Sequence, residues 1–402
     1  MFDARKETEQ MNLADPSGPL GVRTLDLMPP APGRRALVRV ALDLPFDGPS
    51  PTAALRMELL RATIDDLQHR GAQVTVFGDV AVGTHDHGGG PRRVIRSLRQ
   101  LGAEVILLPR EDRAEPTTKL VDQLVADHDL FVNDCFQWSF LALPSLMAAG
   151  SRLPCYAGRS LEHDLRIAER LLVDPGRPFT AVLGGDDVLL RLHGLQGMVL
   201  RADHVLVGGA MSIPLLQATS RKPGRSTQAV LLDECRAVVG LGERVQHHIH
   251  LPRDLVTRDR SGTLRILPPG RITDEEILDI GPRTLMEFGE VIEGSSAVLW
   301  TGAVGCTDAD SMSGATVALG RLLPVGSAMI VLGGDALTTV LGDAGCLPPG
   351  IQLVTATDAL LELMKSGDLP ALGPLRDPRR ALAHPPSGSG PPEGGERRLQ
   401  RR

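Results

Sequence analysis

Glycine pairs close three apolar runs in this sequence: Gly184 and Gly185 after FTAVL, Gly208 and Gly209 after HVLV, and Gly333 and Gly334 after MIVL. A residue without a side chain lets the backbone come within hydrogen-bonding distance of a phosphate or another ligand, and it equally lets a helix pack closely on a strand. Both uses are open for any one pair; three pairs at equivalent places favour a ligand. His247, His248 and His250 lie in a stretch that reads as a strand, with His248 and His250 on one face. Two imidazoles at that spacing could hold a metal ion, but no third ligand is indicated, and solvent-facing strand residues are the plainer expectation. His85, Asp86 and His87 stand in the Gly-rich stretch GTHDHGGG, where metal binding competes with simple loop decoration.

These residues need a scaffold, and 402 residues exceed one comfortable core and suit two α/β domains with a cleft between them. Hydrophobic residues at 42% and charged residues at 23% describe a chain that folds. A net charge of −6, with arginines interleaved among acids, argues against a nucleic-acid partner. Cys135, Cys155, Cys235, Cys306 and Cys346 show no CxxC spacing, so neither a disulfide framework nor a zinc site is expected, and the thiols should be reduced and mostly buried. The first residues lack the apolar core of a signal peptide, and no later apolar stretch is long enough to span a bilayer. The expectation is a cytoplasmic monomer with no membrane partner; a protein partner is not indicated.

The apolar runs ALVRVAL (36–42), QVTVFG (73–78), EVILL (104–108) and DLFVN (129–133) read as buried strands separated by helical spacing. A helix over 161–173 places Leu161, Leu165, Ala168 and Leu172 on one face and joins the two halves. Beyond it, FTAVLGG, DHVLVGG, HHIHL, AVLW, AMIVLGG and IQLVT continue the alternation. Alternating strands and helices imply parallel sheets covered on both faces, with ligands beyond the carboxyl ends of the strands. Residues 1–20 and 376–402 are expected to be unstructured tails, the latter rich in Pro, Gly and Arg. Between them lie an N-terminal domain (21–160), the joining helix (161–173), a C-terminal domain (174–358) and a helix (359–375) returning toward the N-terminal domain.

The motifs, in order, resemble those of the phosphoglycerate kinases. RVALDLP (39–45) is similar to the family's RVDFNVP, VNDCF (132–136) to VNDAF, and RPFTAVLGGDDV (177–188) to RPFVAILGGAKV. HVLVGGAM (204–211), DIGPRT (279–284), VLWTGAVG (298–305) and VLGGDA (331–336) continue the series in the family's own order. The resemblance implies two Rossmann-like three-layer domains with parallel sheets and an interdomain helix. The segment between Gly83 and Asn133 looks shorter than the family's, as if one β/α unit were missing.

The family moves a phosphoryl group between a nucleotide on the C-terminal domain and the carboxylate of 3-phosphoglycerate on a basic patch of the N-terminal domain. Both ends are anions, so cations must position and neutralise them. By resemblance, Arg56 is the arginine that touches the transferred group, and Asp43 stands at a substrate-binding position beside Ala41, which replaces an acid. Asp79 and Val82 occupy the places of a His and an Arg; Phe140, Leu141 and Leu143 stand where cations belong, and Arg110 and Arg113 are unaligned stand-ins. Trp138 and Phe140 are expected on the cleft wall, or filling space left by the missing unit.

On the nucleotide side the resemblance assigns Gly185, Arg191, Gly208, Gly209, Asp308, Gly334 and Asp335, with Asp335 holding Mg²⁺ and Arg191 offsetting charge on the transferring group. Asp186 and Asp187 bring acids where a lysine is expected, Thr301 replaces an asparagine, and Ala356, Thr357 and Asp358 replace a glycine triplet that cradles phosphate. Each lost charged hydrogen bond is worth about 1.5–3 kcal/mol. The sequence therefore predicts a family member with a degenerate site, little or no 3-phosphoglycerate kinase activity, and Mg²⁺ with ATP or ADP as cofactors only if nucleotide binding is retained. A phosphotransferase acting on a less anionic carboxylate, or an ordinary phosphoglycerate kinase, are the alternatives.

Overall fold

The computed structural model of the chain describes residues 18–42, 50–79, 90–108, 114–185, 188–219, 229–245, 248–307 and 313–382. The first half runs β1 (Arg35–Arg39), α1 (Pro51–His69), β2 (Gln73–Asp79), α2 (Gly90–Gln100), β3 (Glu104–Leu108), α3 (Ala114–Ala126), β4 (Leu130–Asn133), α4 (Pro144–Arg152), β5 (Cys155–Ala157) and α5 (Arg159–Val173). Its sheet is five-stranded and parallel in the order β3-β2-β1-β4-β5. All four residues of β4 are buried, as a central parallel strand covered on both faces requires. Helix α1 begins at Ser50, whose hydroxyl accepts from the Ala53 N–H at 3.3 Å, with Pro51 in the first turn where its missing N–H costs nothing.

The second half runs β6 (Phe179–Leu183), α6 (Val188–Arg201), β7 (His204–Val207), α7 (Gly209–Thr219), α8 (Ala229–Val245) and β8 (His248–His250). It continues with β9 (Leu255–Arg258), β10 (Leu264–Leu267), β11 (Glu276–Ile280), α9 (Pro282–Glu293), β12 (Ala297–Thr301), α10 (Gly314–Arg321), β13 (Met329–Gly333) and α11 (Asp335–Asp343). The last elements are β14 (Gln352–Val354), α12 (Thr357–Ser366) and α13 (Gly373–Arg376). The main sheet is six-stranded and parallel, ordered β14-β13-β12-β6-β7-β8.

One element departs from the all-parallel expectation. Strands β10-β9-β11 form a separate three-stranded antiparallel sheet. Strand β10 exposes Leu264 and Ile266, so it lacks the buried apolar run by which the other strands are recognised.

The two halves share one continuous apolar core. It joins Leu37, Phe77 and Phe131 of the first sheet to Leu161, Leu165 and Leu171 of α5, and then to Leu183, Leu195 and Leu360 of the second half. The end of the chain returns to the first half: Leu369, Ala371, Leu372 and Leu375 belong to this same core, and Leu375 O accepts from Arg23 N at 3.1 Å. Packing extends beyond residue 376, where an unstructured tail was expected. Leu382 is buried beside the first sheet, and its N–H donates to the Tyr156 hydroxyl at 2.8 Å. The apolar side chain and that buried hydroxyl anchor residues that composition alone marks as a tail. At the other end Pro19 is buried, and residues 1–17 lie outside the described residues. Among the described residues, no helix is long and apolar enough to cross a membrane.

Candidate active site between the two sheets

Helix α1 of the first half and α11 of the second lie against each other, and their facing side chains meet between the two halves. Arg56 is buried, and its Nη1 donates to both carboxylate oxygens of Asp335 at 3.0 Å. Its Nε donates to Thr355 O at 3.0 Å, so the guanidinium ties α1 to both α11 and the turn before α12. Ser50 donates its hydroxyl to Asp335 Oδ1 at 2.7 Å, and the hydroxyls of Thr52 and Thr338 are 3.0 Å apart. Asp335 occupies the first turn of α11, where the helix dipole favours an anion, and Gly334 before it takes a φ of 102° that a side chain would resist.

The joining helix locks the same turn from the other side. Asp164 of α5 is fully buried and accepts from Thr355 N at 2.9 Å and Thr355 Oγ1 at 2.5 Å; burial pushes its carboxyl up to about 6. Ala356 and Thr357, at two places of the expected phosphate-cradling triplet, are buried at the start of α12. The adjoining recess, lined by Ala41, Arg56, Asp134, Phe136, Gln137 and Thr355 among others, measures only about 20 Å³. That is room for about one water molecule. Asp134 Oδ1 accepts from Ser160 N at 2.8 Å and caps α5, and burial raises its carboxyl to about 6.

Asp79 is committed elsewhere. Arg39 is wholly buried at the end of β1, and its Nη2 donates to Asp79 Oδ2 at 2.8 Å while its Nε donates to Ser145 Oγ at 2.9 Å. The Arg39 guanidinium also lies 5.8 Å from the Phe77 ring centre. Asp79 is thus the counter-charge of a buried cation. Sequence reasoning passed over Arg39; its signal is a lone charge inside the apolar run ALVRVAL. Trp138 and Phe140 do not line the recess; half-buried, they pack on the core that includes Phe131, Phe136 and Leu146. Their apolar area is better covered there than in a cleft with so little space.

A second recess of about 140 Å³ opens beyond the carboxyl end of β7, lined by Gly209, Ala210, Ile213, Leu255, Asp279 and Cys306 among others. Its floor is knitted by backbone: Gly185 N donates to Ala303 O at 2.9 Å, and Gly209 N to Val304 O at 2.7 Å. A Cβ on Gly208 would come within 2.6 Å of the Val304 Cβ, so this glycine permits close loop packing. Asp279 of DIGPRT accepts from Ala315 N at 3.0 Å and Ile280 N at 2.8 Å, and burial lifts its carboxyl to about 6. Apolar residues such as Ile213, Leu255 and Val304 share the lining of this recess with Asp279.

Of the residues expected at the site, the structure brings Arg56 and Asp335 into contact, with Gly334 beside them, and sets Gly185, Gly208 and Gly209 about the second recess. Arg191 lies on α6. Asp43, Asp308, Val82, Asp186, Asp187, Arg110, Arg113, His85, Asp86, His87 and His247 lie outside the described residues.

Two parallel α/β sheets joined by helix α5, with a recess at the strand ends and a charged seam between the halves, define a two-domain α/β protein. The family model for phosphoglycerate kinase matches residues 100–367. The phosphoglycerate kinase of Zymomonas mobilis is 28% identical over 397 residues, spanning 89% of this chain and 100% of the relative. That of Sphingopyxis alaskensis is 30% identical, over 88% of this chain and 99% of the relative. The chain belongs to the phosphoglycerate kinase family. The crystal structure of phosphoglycerate kinase from Pyrococcus horikoshii is similar in fold, with a TM-score of 0.69, 21% identity and coverage of 86% of this chain and 96% of that one. The Coxiella burnetii enzyme gives a TM-score of 0.66 at 22% identity, covering 88% and 98%.

Proposed function

We propose that this chain is a degenerate phosphoglycerate kinase paralogue, with little or no turnover of 3-phosphoglycerate, that binds a nucleotide weakly and acts by binding. The observation carrying this reading is that Arg56 and Asp335, the two charged residues best placed to serve transfer, neutralise each other across the seam. Mg²⁺ at Asp335 would have to displace a buried guanidinium and the Ser50 hydroxyl. The acceptor would have to enter a recess of about 20 Å³ that carries Ala41 in place of an acid. In this reading residues 21–160 are the former acceptor domain, 161–173 the hinge helix, 174–358 the nucleotide-side domain and 359–375 the returning segment. The protein works in the cytoplasm as a monomer.

The recess beside Gly209 supports the nucleotide part of the reading, because its apolar walls suit a base. With nucleotide bound, Asp335 would hold Mg²⁺ once freed from Arg56, and Gly185, Gly208, Gly209 and Gly334 would shape the surrounding backbone. The metal would supply charge neutralisation between the phosphates. That same recess keeps a second reading in play: a phosphotransferase whose carboxylate acceptor is less anionic, using Arg56 and Arg191 as its cations.

Calorimetric titration with Mg²⁺·ADP and Mg²⁺·ATP, followed by a coupled 3-phosphoglycerate kinase assay on the same protein, tests the proposal. Weak binding without turnover is expected. Turnover at the rate of an ordinary phosphoglycerate kinase would overturn it, and ATP consumption with another carboxylic acid would establish the second reading.

A further inference from the structure

Away from the seam, at the amino end of β7, three imidazoles meet at an edge of the six-stranded sheet. His204 opens β7, and His248 and His250 lie on β8, the edge strand, which pairs only with β7 among the described residues. The His204 and His248 rings stack with centres 5.5 Å apart, and the His250 ring lies 5.3 Å from His204 and 6.2 Å from His248. His204 Nδ1 and His250 Nε2 are 3.2 Å apart. His250 Nδ1 stands 2.9 Å from Glu287 Oε1 of α9, and Arg253 Nε donates to the other oxygen of that carboxylate. Asp203, just before β7, accepts from Arg177 Nη1 and Phe179 N. Helix α8 packs on the other face of β8, where Ile249 meets the core that includes Cys235 and Val238. Of the described charges on α8, Asp233 pairs with Arg236 and Glu234 acts on Cys235.

We propose that this cluster is a proton-operated latch, which holds β8 against β7 as long as at least one of His204 and His250 is neutral. The Glu287 carboxylate can only accept, so His250 Nδ1 carries a proton and its Nε2 presents a lone pair. His204 Nδ1–H donates to that lone pair. One added proton, on either ring, still leaves a donor facing an acceptor once the tautomers adjust. A second leaves two N–H groups facing each other and sets two like charges side by side, with His248 stacked on His204 as a third imidazole. Burial, with His250 and His248 beside it, pushes the His204 imidazole below the ordinary histidine value, and Asp203 acts in the opposite direction. The fold therefore favours neutral His204: this contribution is full above the unfolded value of about 6.5 and is lost as pH falls through the folded one. Strand β8 makes three register pairs with β7, so a side-chain bond across them is a large addition to a short ladder. Its release leaves β7, which leads into Gly208 and Gly209 at its other end, paired with β6 alone.

Hydrogen exchange of the full chain, read by mass spectrometry at pH 5, 6 and 7 and corrected for the intrinsic exchange rate, tests the latch. Peptides covering β8 should lose about tenfold protection or more between pH 7 and pH 5, while those of β12 and β13 do not. His204→Asn, whose amide can donate from the place of Nδ1 but takes up no proton, should hold β8 protection constant over this range. Glu287→Gln, which removes the charge facing His250, should move the loss to lower pH. Circular dichroism checks folding, and His250→Gln stands in for His204→Asn if that variant does not fold. Constant β8 protection in the parent, or the same loss in the non-titrating variant, would overturn the proposal.

Discussion

Arg56 and Asp335, 279 residues apart in sequence, form a two-oxygen ion pair at 3.0 Å that bridges the two halves of the molecule. The guanidinium is buried while 31% of the Asp335 side chain stays accessible, so the pair is only partly desolvated. Removing either partner leaves the other with an uncompensated charge. Arg56→Met and Asp335→Asn should each lower the unfolding free energy by about 1–3 kcal/mol, and the double variant by less than the sum. Urea denaturation of the four proteins gives the coupling; strict additivity would show that the pair contributes nothing.

Freeing Asp335 should also expose what it can bind. If Arg56 masks a metal-holding carboxylate, Arg56→Met binds Mg²⁺·ADP several-fold more tightly than the parent in calorimetry, and Asp335→Asn abolishes that gain. Equal affinities in all three would separate Asp335 from any nucleotide role.

Restoring one family residue alone should harm the protein. Asp79→His places a neutral or cationic ring against Arg39, which is wholly buried and relies on Asp79 Oδ2 at 2.8 Å. The expected loss is about 3–5 kcal/mol with no gain in 3-phosphoglycerate kinase activity. Thermal unfolding and the coupled assay check both halves of that statement.

Stability should decline as pH rises from about 4 to about 6. Burial raises the carboxyls of Asp134, Asp164 and Asp279 to about 6, above the ordinary value of 3.8. Each is favoured in its protonated form by the fold, so its stabilising contribution is full below the unfolded pKa and is lost as pH passes the folded one. Asp164→Asn should flatten part of that slope in denaturation curves at pH 4, 5, 6 and 7. An unchanged slope would place its titration outside this window.

The recess beside Gly209 can be closed by one side chain. Ala210→Phe should fill the space of about 140 Å³ and remove nucleotide binding while changing the unfolding temperature little. Undiminished binding would move the nucleotide elsewhere.

Much of the fold is legible because parallel strands are short unbroken apolar runs: DLFVN coincides with the fully buried β4 and its preceding residue, whereas EVILL coincides with β3 but lies at the sheet edge, where Leu107 is exposed and only Leu108 is buried. The antiparallel sheet is not legible because β10, LRIL, is only four residues long and exposes both Leu264 and Ile266, so its apolar residues mark no buried face. At the site, the retained arginine and aspartate could be named from their motifs, but their pairing could not, since it depends on how α1 meets α11. Asp79 stands where the resemblance puts a histidine; only the buried position of Arg39 shows which cation it serves.

The returning end of the chain also bears on the order of events at the ribosome. Leu369, Ala371, Leu372 and Leu375 fill the core beneath the first sheet, and Leu382 is buried against its other face. A nascent chain that has released only the first half therefore holds an apolar floor with part of its cover still unsynthesised. The six strands of the second sheet are all present once Val354 has emerged. Although synthesis begins with the first domain, its core is the last to be sealed, and truncation upstream of residue 369 should produce aggregation during translation where loss of residues after 382 should not.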